Sequence, residues 1–170
     1  MDAIEAIRTR RSIRKFSDRN VEPEVVMELL DAAMSAPSAG NEQPWQFIVV
    51  DDRAILDEVP NLNPNAAMVK EAPVAILVCG DLSLEKYQGF WVQDCSAAAQ
   101  NLLLAAHAKG LGAVWTGIYP LEDRVEGMRE LFGLPGHIVP LALIPVGYPK
   151  KNIGSESRFK KERVRFNKWG

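Results

Sequence analysis

The run DCSAAAQNLLLAAHAKGLGAVWTG, residues 94–117, contains a helix, its stop and a strand. Ala97, Ala98, Leu102, Leu103, Leu104, Ala105 and Ala106 are apolar over more than one face. The spacing predicts a helix over Asp94–Lys109 that belongs in a core or between subunits. Gly110 is its natural C′ residue. Gly112–Thr116 then reads as a strand. On the N-terminal side, Ala3, Ile4, Ala6 and Ile7 suggest a short amphipathic helix over residues 2–10. Pro23 suits the first turn of a second helix, with Val25, Val26, Leu29, Leu30 and Ala33 at helical spacing and Pro37 ending it. Trp45–Val50 and Val74–Cys79 are β-branched and aromatic runs that read as strands. On the C-terminal side, Leu121–Phe132 reads as a helix and Val139–Val146 as a strand, with Pro140 and Pro145 suggesting its edges. Val164–Phe166 is a last strand-like piece. A lone strand at a chain end must find a sheet, and a neighbouring subunit's sheet is one candidate. Strands and helices do not strictly alternate, so the class is α+β rather than doubly wound α/β.

The chain has 170 residues, 47% of them hydrophobic and 25% charged, an ordinary globular balance. One domain over 1–170 is expected. No apolar run approaches the roughly 20 residues that span a bilayer. The opening residues Met1-Asp2-Ala3-Ile4-Glu5 lack a charged-then-apolar signal region. Cys79 and Cys95 lie in apolar segments and make no disulfide framework, so core filling and a reducing, cytoplasmic location are expected. Charge is segregated. Residues 1–20 carry six basic and three acidic groups, and residues 150–170 carry eight and two. The remaining middle carries six basic and seventeen acidic groups, for a total of -2. An acidic body argues against nucleic-acid binding. The basic ends are either solvated termini or two arms sharing one small anion.

Common catalytic signatures are absent: no GxGxxG, no GxxxxGK[ST] and no GxSxG. The two histidines, His107 and His137, lack metal-ligand spacing, and structural roles are expected for both. Three segments exceed what packing needs. Arg10-Arg11-Ser12-Ile13-Arg14-Lys15-Phe16 offers guanidiniums suited to phosphate oxygens, or is a solvated basic turn. Pro37-Ser38-Ala39-Gly40-Asn41-Glu42-Gln43-Pro44-Trp45 offers amide and hydroxyl groups for a heteroaromatic edge, or is a locally capped turn. Gly110-Leu111-Gly112-Ala113-Val114-Trp115-Thr116-Gly117 leaves backbone open to a flat ligand, or is a helix cap plus a bend.

In this order the three segments resemble the nitroreductase family of flavin enzymes. Gln100–Ala106 running into Gly110–Trp115, and the tail Arg158-Phe159-Lys160-Lys161-Glu162-Arg163-Val164, support the resemblance. It implies a sandwich with a mostly antiparallel sheet flanked by helices, paired as an intertwined homodimer with C-terminal strand exchange. It implies non-covalent FMN at the dimer interface, with NAD(P)H as co-substrate and a small-molecule electron acceptor, often a nitroaromatic or a quinone. No protein nucleophile is expected, and neither nucleic acid nor membrane is an expected partner. By match to the family's motifs, Arg10, Ser12 and Arg14 would contact phosphate and ribityl, with Arg11 acting through its backbone. Arg158 would close on the same phosphate, helped by Lys160 or Lys161. Pro37, Ser38, Ala39 and Asn41 would reach the isoalloxazine from the partner subunit. Thr116 and Gly117 would supply backbone donors, and Asn65 an amide contact to the pyrimidine ring.

The chain departs from the family in two ways. Many members carry a lysine shortly after that asparagine, where this chain offers Met68, with Lys70 as an alternative. It is also short, leaving little room for long excursions over the site, so substrate choice is broad or set by Tyr87, Phe90 and Trp91. Two other readings remain open: a specialised member such as a dehalogenase, enone reductase or flavin-fragmenting enzyme, and a dimer that stores FMN without turnover.

Overall fold

A computed structural model describes residues 1–151, 153–155 and 157–169. Five strands form one antiparallel sheet: β1 (Trp45–Val50), β2 (Val74–Asp81), β3 (Gly112–Ala113), β4 (Thr116–Gly117) and β5 (Ile138–Gly147). The order is β1-β2-β5-β3, with β4 also on β5. Five α-helices cover it: α1 (Ala3–Thr9), α2 (Pro23–Met34), α3 (Arg53–Leu62), α4 (Trp91–Ala108) and α5 (Glu122–Phe132). The α+β expectation holds. No helix among the described residues is long and apolar enough to cross a membrane.

The sheet divides two cores. Ile76, Val78, Ala142 and Ile144 face α2 and α4, where Leu29, Ala33, Ala98, Leu102 and Ala106 are buried. Ala75, Leu77, Cys79 and Leu143 face α3 and α5, where Leu56, Val59 and Met128 are buried. Alternation along β2 and β5 feeds both cores, which is why these strands read as continuous apolar runs.

Four expectations change. Helix α4 starts at Trp91, not Asp94, with Glu85 Oε1 accepting from the Gly89 and Trp91 N–H groups at 2.7 and 3.3 Å. The strand expected over Gly112–Thr116 splits, because Val114 and Trp115 leave the ladder between β3 and β4. Strand β5 is central despite its prolines. Pro140 adjoins the bulge at Val78–Cys79, and Pro145 lies opposite the gap between β3 and β4, so both fall where ladder bonds are interrupted. Val164–Phe166 is not a strand in the single chain.

The N-terminal segment after α1 is laid along the sheet edge. Ser12 bridges Ala113 in parallel and Phe16 bridges Pro149. Ile13 N–H donates to Ala113 O at 3.0 Å, and Ser17 N–H to Tyr148 O at 2.8 Å. Gly112 permits this approach, since a Cβ there would stand 2.6 Å from Ile13 Cβ.

Candidate functional site

That edge brings the two basic ends together. Ile7, Arg8, Arg10, Arg11, Ser157 and Arg158 line a cleft of about 130 Å³. No ion pair among the described residues includes any of these four arginines. Burial, then the neighbouring Arg158 and Arg11 guanidiniums, hold Arg10 below the usual arginine value. Uncompensated like charges around a small cleft favour an anion between them, and guanidiniums fit phosphate oxygens bidentately. Thr9, Arg11, Ile13 and His107 line an adjoining cleft of about 310 Å³ that shares Arg11. Thr9 Oγ1 donates to Glu5 O at 2.7 Å and accepts from His107 Nε2 at 2.7 Å. Burial, then Arg10, lowers the His107 pKa, while Glu5 opposes the shift.

Not every predicted residue joins the cleft. Arg14 is exposed beyond it, and Lys161 is exposed in a 3₁₀ turn outside its lining. Ser12 is held in its bridge to Ala113. Asn65 is exposed at the start of the Pro64–Glu71 turn. Met68 packs against Ile13, Phe16 and Ala72, whereas Lys70 is exposed. The residue missed here is Asn63, which is fully buried. Its Oδ1 accepts from Asn65 N–H, and its Nδ2 donates to Gly117 O, both at 3.2 Å. Arg124 donates to the same carbonyl at 2.9 Å. The Thr116 hydroxyl is committed to Leu143 O at 2.5 Å, leaving only the Gly117 main chain to meet a ligand. The sole sequence signal for Asn63 was its place before Pro64 in an Asn-rich turn.

The Pro37–Asn41 loop lies elsewhere. Ala39 N–H donates to Asp94 Oδ1 at 3.0 Å, near the start of α4. Gln43 N–H donates to Ser38 Oγ at 3.0 Å. The arginine cleft adjoins His107, near the end of α4. Asp94 and His107 are about 20 Å apart along the helix at its regular rise. Of the aromatic residues leading into α4, Tyr87 and Phe90 precede it and are exposed, but Trp91, its first residue, is buried and packs edge-on to Tyr119 at 4.9 Å, so it is core and not lining.

The nitroreductase family model matches residues 7–68 and 60–148. A Methanothermobacter thermautotrophicus protein named "Putative NADH dehydrogenase/NAD(P)H nitroreductase" is 60% identical over 99% of this chain and 88% of its own length. A Parabacteroides distasonis crystal structure of the same name matches with a TM-score of 0.94 and 46% identity, over 98% of each chain. A Desulfovibrio desulfuricans protein solved in complex with FMN matches with a TM-score of 0.84 and 34% identity, over 99% of this chain and 98% of that one. Fold, motif order and these likenesses agree: the chain belongs to the nitroreductase family.

Proposed function

We propose that this chain is an FMN-dependent oxidoreductase that uses NAD(P)H to reduce small acceptors such as nitroaromatics and quinones. The observation that carries the reading is the arginine cleft at the sheet edge, where both basic ends converge without a carboxylate partner among the described residues. Its donor set suits a dianionic phosphate, which FMN carries. Arg10, Arg11, Arg158 and the Ser157 hydroxyl would hold that phosphate, with Arg14 and Lys161 contributing charge from outside the lining. FMN supplies hydride acceptance and donation when bound.

The chain's own part is binding, orientation and electrostatics. Gly117 offers a main-chain N–H group turned away from β5, and it is fixed from behind by Asn63 and Arg124, whereas Thr116 is spent on its ladder pair Leu143. Aimed donors of this kind stabilise negative charge on a ring edge without reorganising. Met68, packed against Ile13, Phe16 and Ala72, would add no cation to the cofactor's ring edge, leaving its negative charge to main-chain dipoles.

Within one chain the cleft and the Pro37–Asn41 loop are separated by most of α4. A complete site therefore pairs one copy's cleft with the loop of a second copy, in a homodimer of single 1–170 units. Exposed Ile4 and Ile7 on α1, and Phe159, Phe166 and Trp169 in the tail, provide apolar surface for that pairing. The tail's Val164–Phe166 would become a strand on the partner's sheet. Buried, unpaired Cys79 and Cys95 suit a reducing, cytoplasmic setting. The storage reading is separated by turnover. Initial rates with NADH or NADPH and a quinone should give parallel double-reciprocal lines, as two half-reactions in one pocket require. Intersecting lines or no turnover would overturn the proposal.

A further inference from the structure

Two carboxyl groups meet out of water at the start of α4. Glu42 is 6% exposed and Asp94 5%. Glu42 Oε2 accepts from Lys86 N–H at 2.6 Å and Tyr87 N–H at 3.2 Å. Asp94 Oδ1 accepts from Ala39 N–H at 3.0 Å. The two carboxyl groups lie close enough to act on one another's charge. Their other oxygens, Glu42 Oε1 and Asp94 Oδ2, are buried without a hydrogen-bond donor among the described residues. Two carboxylates are acceptors only, so a hydrogen bond between them requires one proton. Like charges this close do not both ionise readily.

The surroundings locate that proton. Facing the pair are Glu85, Lys86 and Tyr87 from the segment before α4, and Cys95 from α4 itself. Burial raises the Asp94 carboxyl, and the charges of Glu42 and Glu85 add to this against the Ala39 N–H. Burial also works to raise Glu42, but the Lys86 and Tyr87 N–H groups, with Asp94's proton, outweigh it and lower the group. A proton on the pair therefore favours Asp94 over Glu42.

The pair ties three segments at one point: Ala39, Lys86–Tyr87 and α4. The tied loop is strained where non-glycine residues take positive φ, at Asn41 and Gln43 (54° and 49°), beside Gly40 at 52°. Two further straps hold it to the same segment. Lys86 Nζ donates to Gly40 O at 3.1 Å, and the Tyr87 ring lies where a Cβ on Gly40 would be, 2.4 Å from Cε2.

We propose that Glu42 and Asp94, joined by one shared proton, are positioning residues that hold the Pro37–Asn41 loop in its ligand-contacting shape, and that loss of the proton releases the loop and weakens FMN binding. The effect on FMN rests on the function proposed above; the effect on the loop does not. The test measures two quantities against pH: amide protection factors at Ala39, Lys86 and Tyr87 in flavin-free protein, and the FMN Kd by equilibrium dialysis.

Wild type should lose protection once pH passes Asp94's raised value, and Kd should rise about tenfold per further pH unit. Asp94→Asn keeps an acceptor for Ala39 and a permanent donor to Glu42, so both profiles should be flat. Glu42→Gln, which donates to an ionised Asp94, should also be flat and covers the case where Asp94→Asn does not fold. Asp94→Ala should bind at least about tenfold more weakly below Asp94's raised value, where the wild type keeps its proton. An Asp94→Asn or Glu42→Gln profile that follows wild type, or a flat wild-type profile up to unfolding, overturns the proposal. If wild type binds no FMN at any pH, the functional reading fails and the protection factors alone decide the pair's role.

Discussion

Arg158→Ala should separate affinity from stability, with opposite signs. In the flavin-free chain Arg158 contributes repulsion: it is the second cause, after burial, that holds Arg10 below its usual value. It makes no ion pair among the described residues. Removing it takes away one repulsive neighbour and no attraction, so the melting temperature without FMN should hold or rise slightly. With FMN bound, the same guanidinium is a charge-assisted donor to phosphate, a bond worth about 1.5–3 kcal/mol. That range is roughly tenfold to a hundredfold in Kd. Arg158 is exposed, which places the expected loss near tenfold. The assay is FMN titration by visible absorbance, beside thermal unfolding of flavin-free protein, each at low and high salt. Salt should weaken wild type more than the variant, because a contact in water is screened. A Kd change under about threefold, or flavin-free protein that melts several degrees lower, would refute the cleft as the phosphate site.

Gly112→Ala should force Ile13 off the sheet edge, since the new Cβ would sit 2.6 Å from Ile13 Cβ. Overpacking of this kind costs about 1–3 kcal/mol, or several degrees of Tm by thermal unfolding, and FMN affinity should fall with it because Arg10 and Arg11 precede that contact. His107 should make stability pH-dependent. Its folded-state pKa is lowered from 6.5, so the folded chain disfavours the proton. Stability is full above the unfolded value and declines as pH falls below it. His107→Gln should flatten that slope in flavin-free thermal unfolding across this window, and an unchanged slope would assign it to other groups.

Much of this architecture was legible in residues whose period matches one environment. Helix α2 showed its proline start and its Leu29–Leu30–Ala33 stripe, and β1 and β2 showed runs rich in β-branched and other apolar residues. Helix α3 went unread because Arg53–Leu62 is half polar and carries Pro60. The prolines in β5 misdirected the edge assignment, since whether a ladder bond is missing opposite a proline depends on the neighbouring strands and not on β5. The convergence of the basic ends was legible as charge, but which members line the cleft was not. Arg10 and Arg158 meet because Ser12–Ser17 runs along the sheet edge, whereas the same stretch leaves Arg14 outside. The Glu42–Asp94 pair was invisible, because Glu42 stood in a polar loop and Asp94 at an expected helix start, and only the fold sets them face to face.

The most direct measurement is the visible spectrum of purified protein loaded with FMN, recorded anaerobically before and after adding NADH or NADPH. Stoichiometric flavin absorbance should bleach on adding one of the two nucleotides and return on adding a quinone. Protein that retains no flavin, or flavin that stays oxidised with both nucleotides, would contradict it.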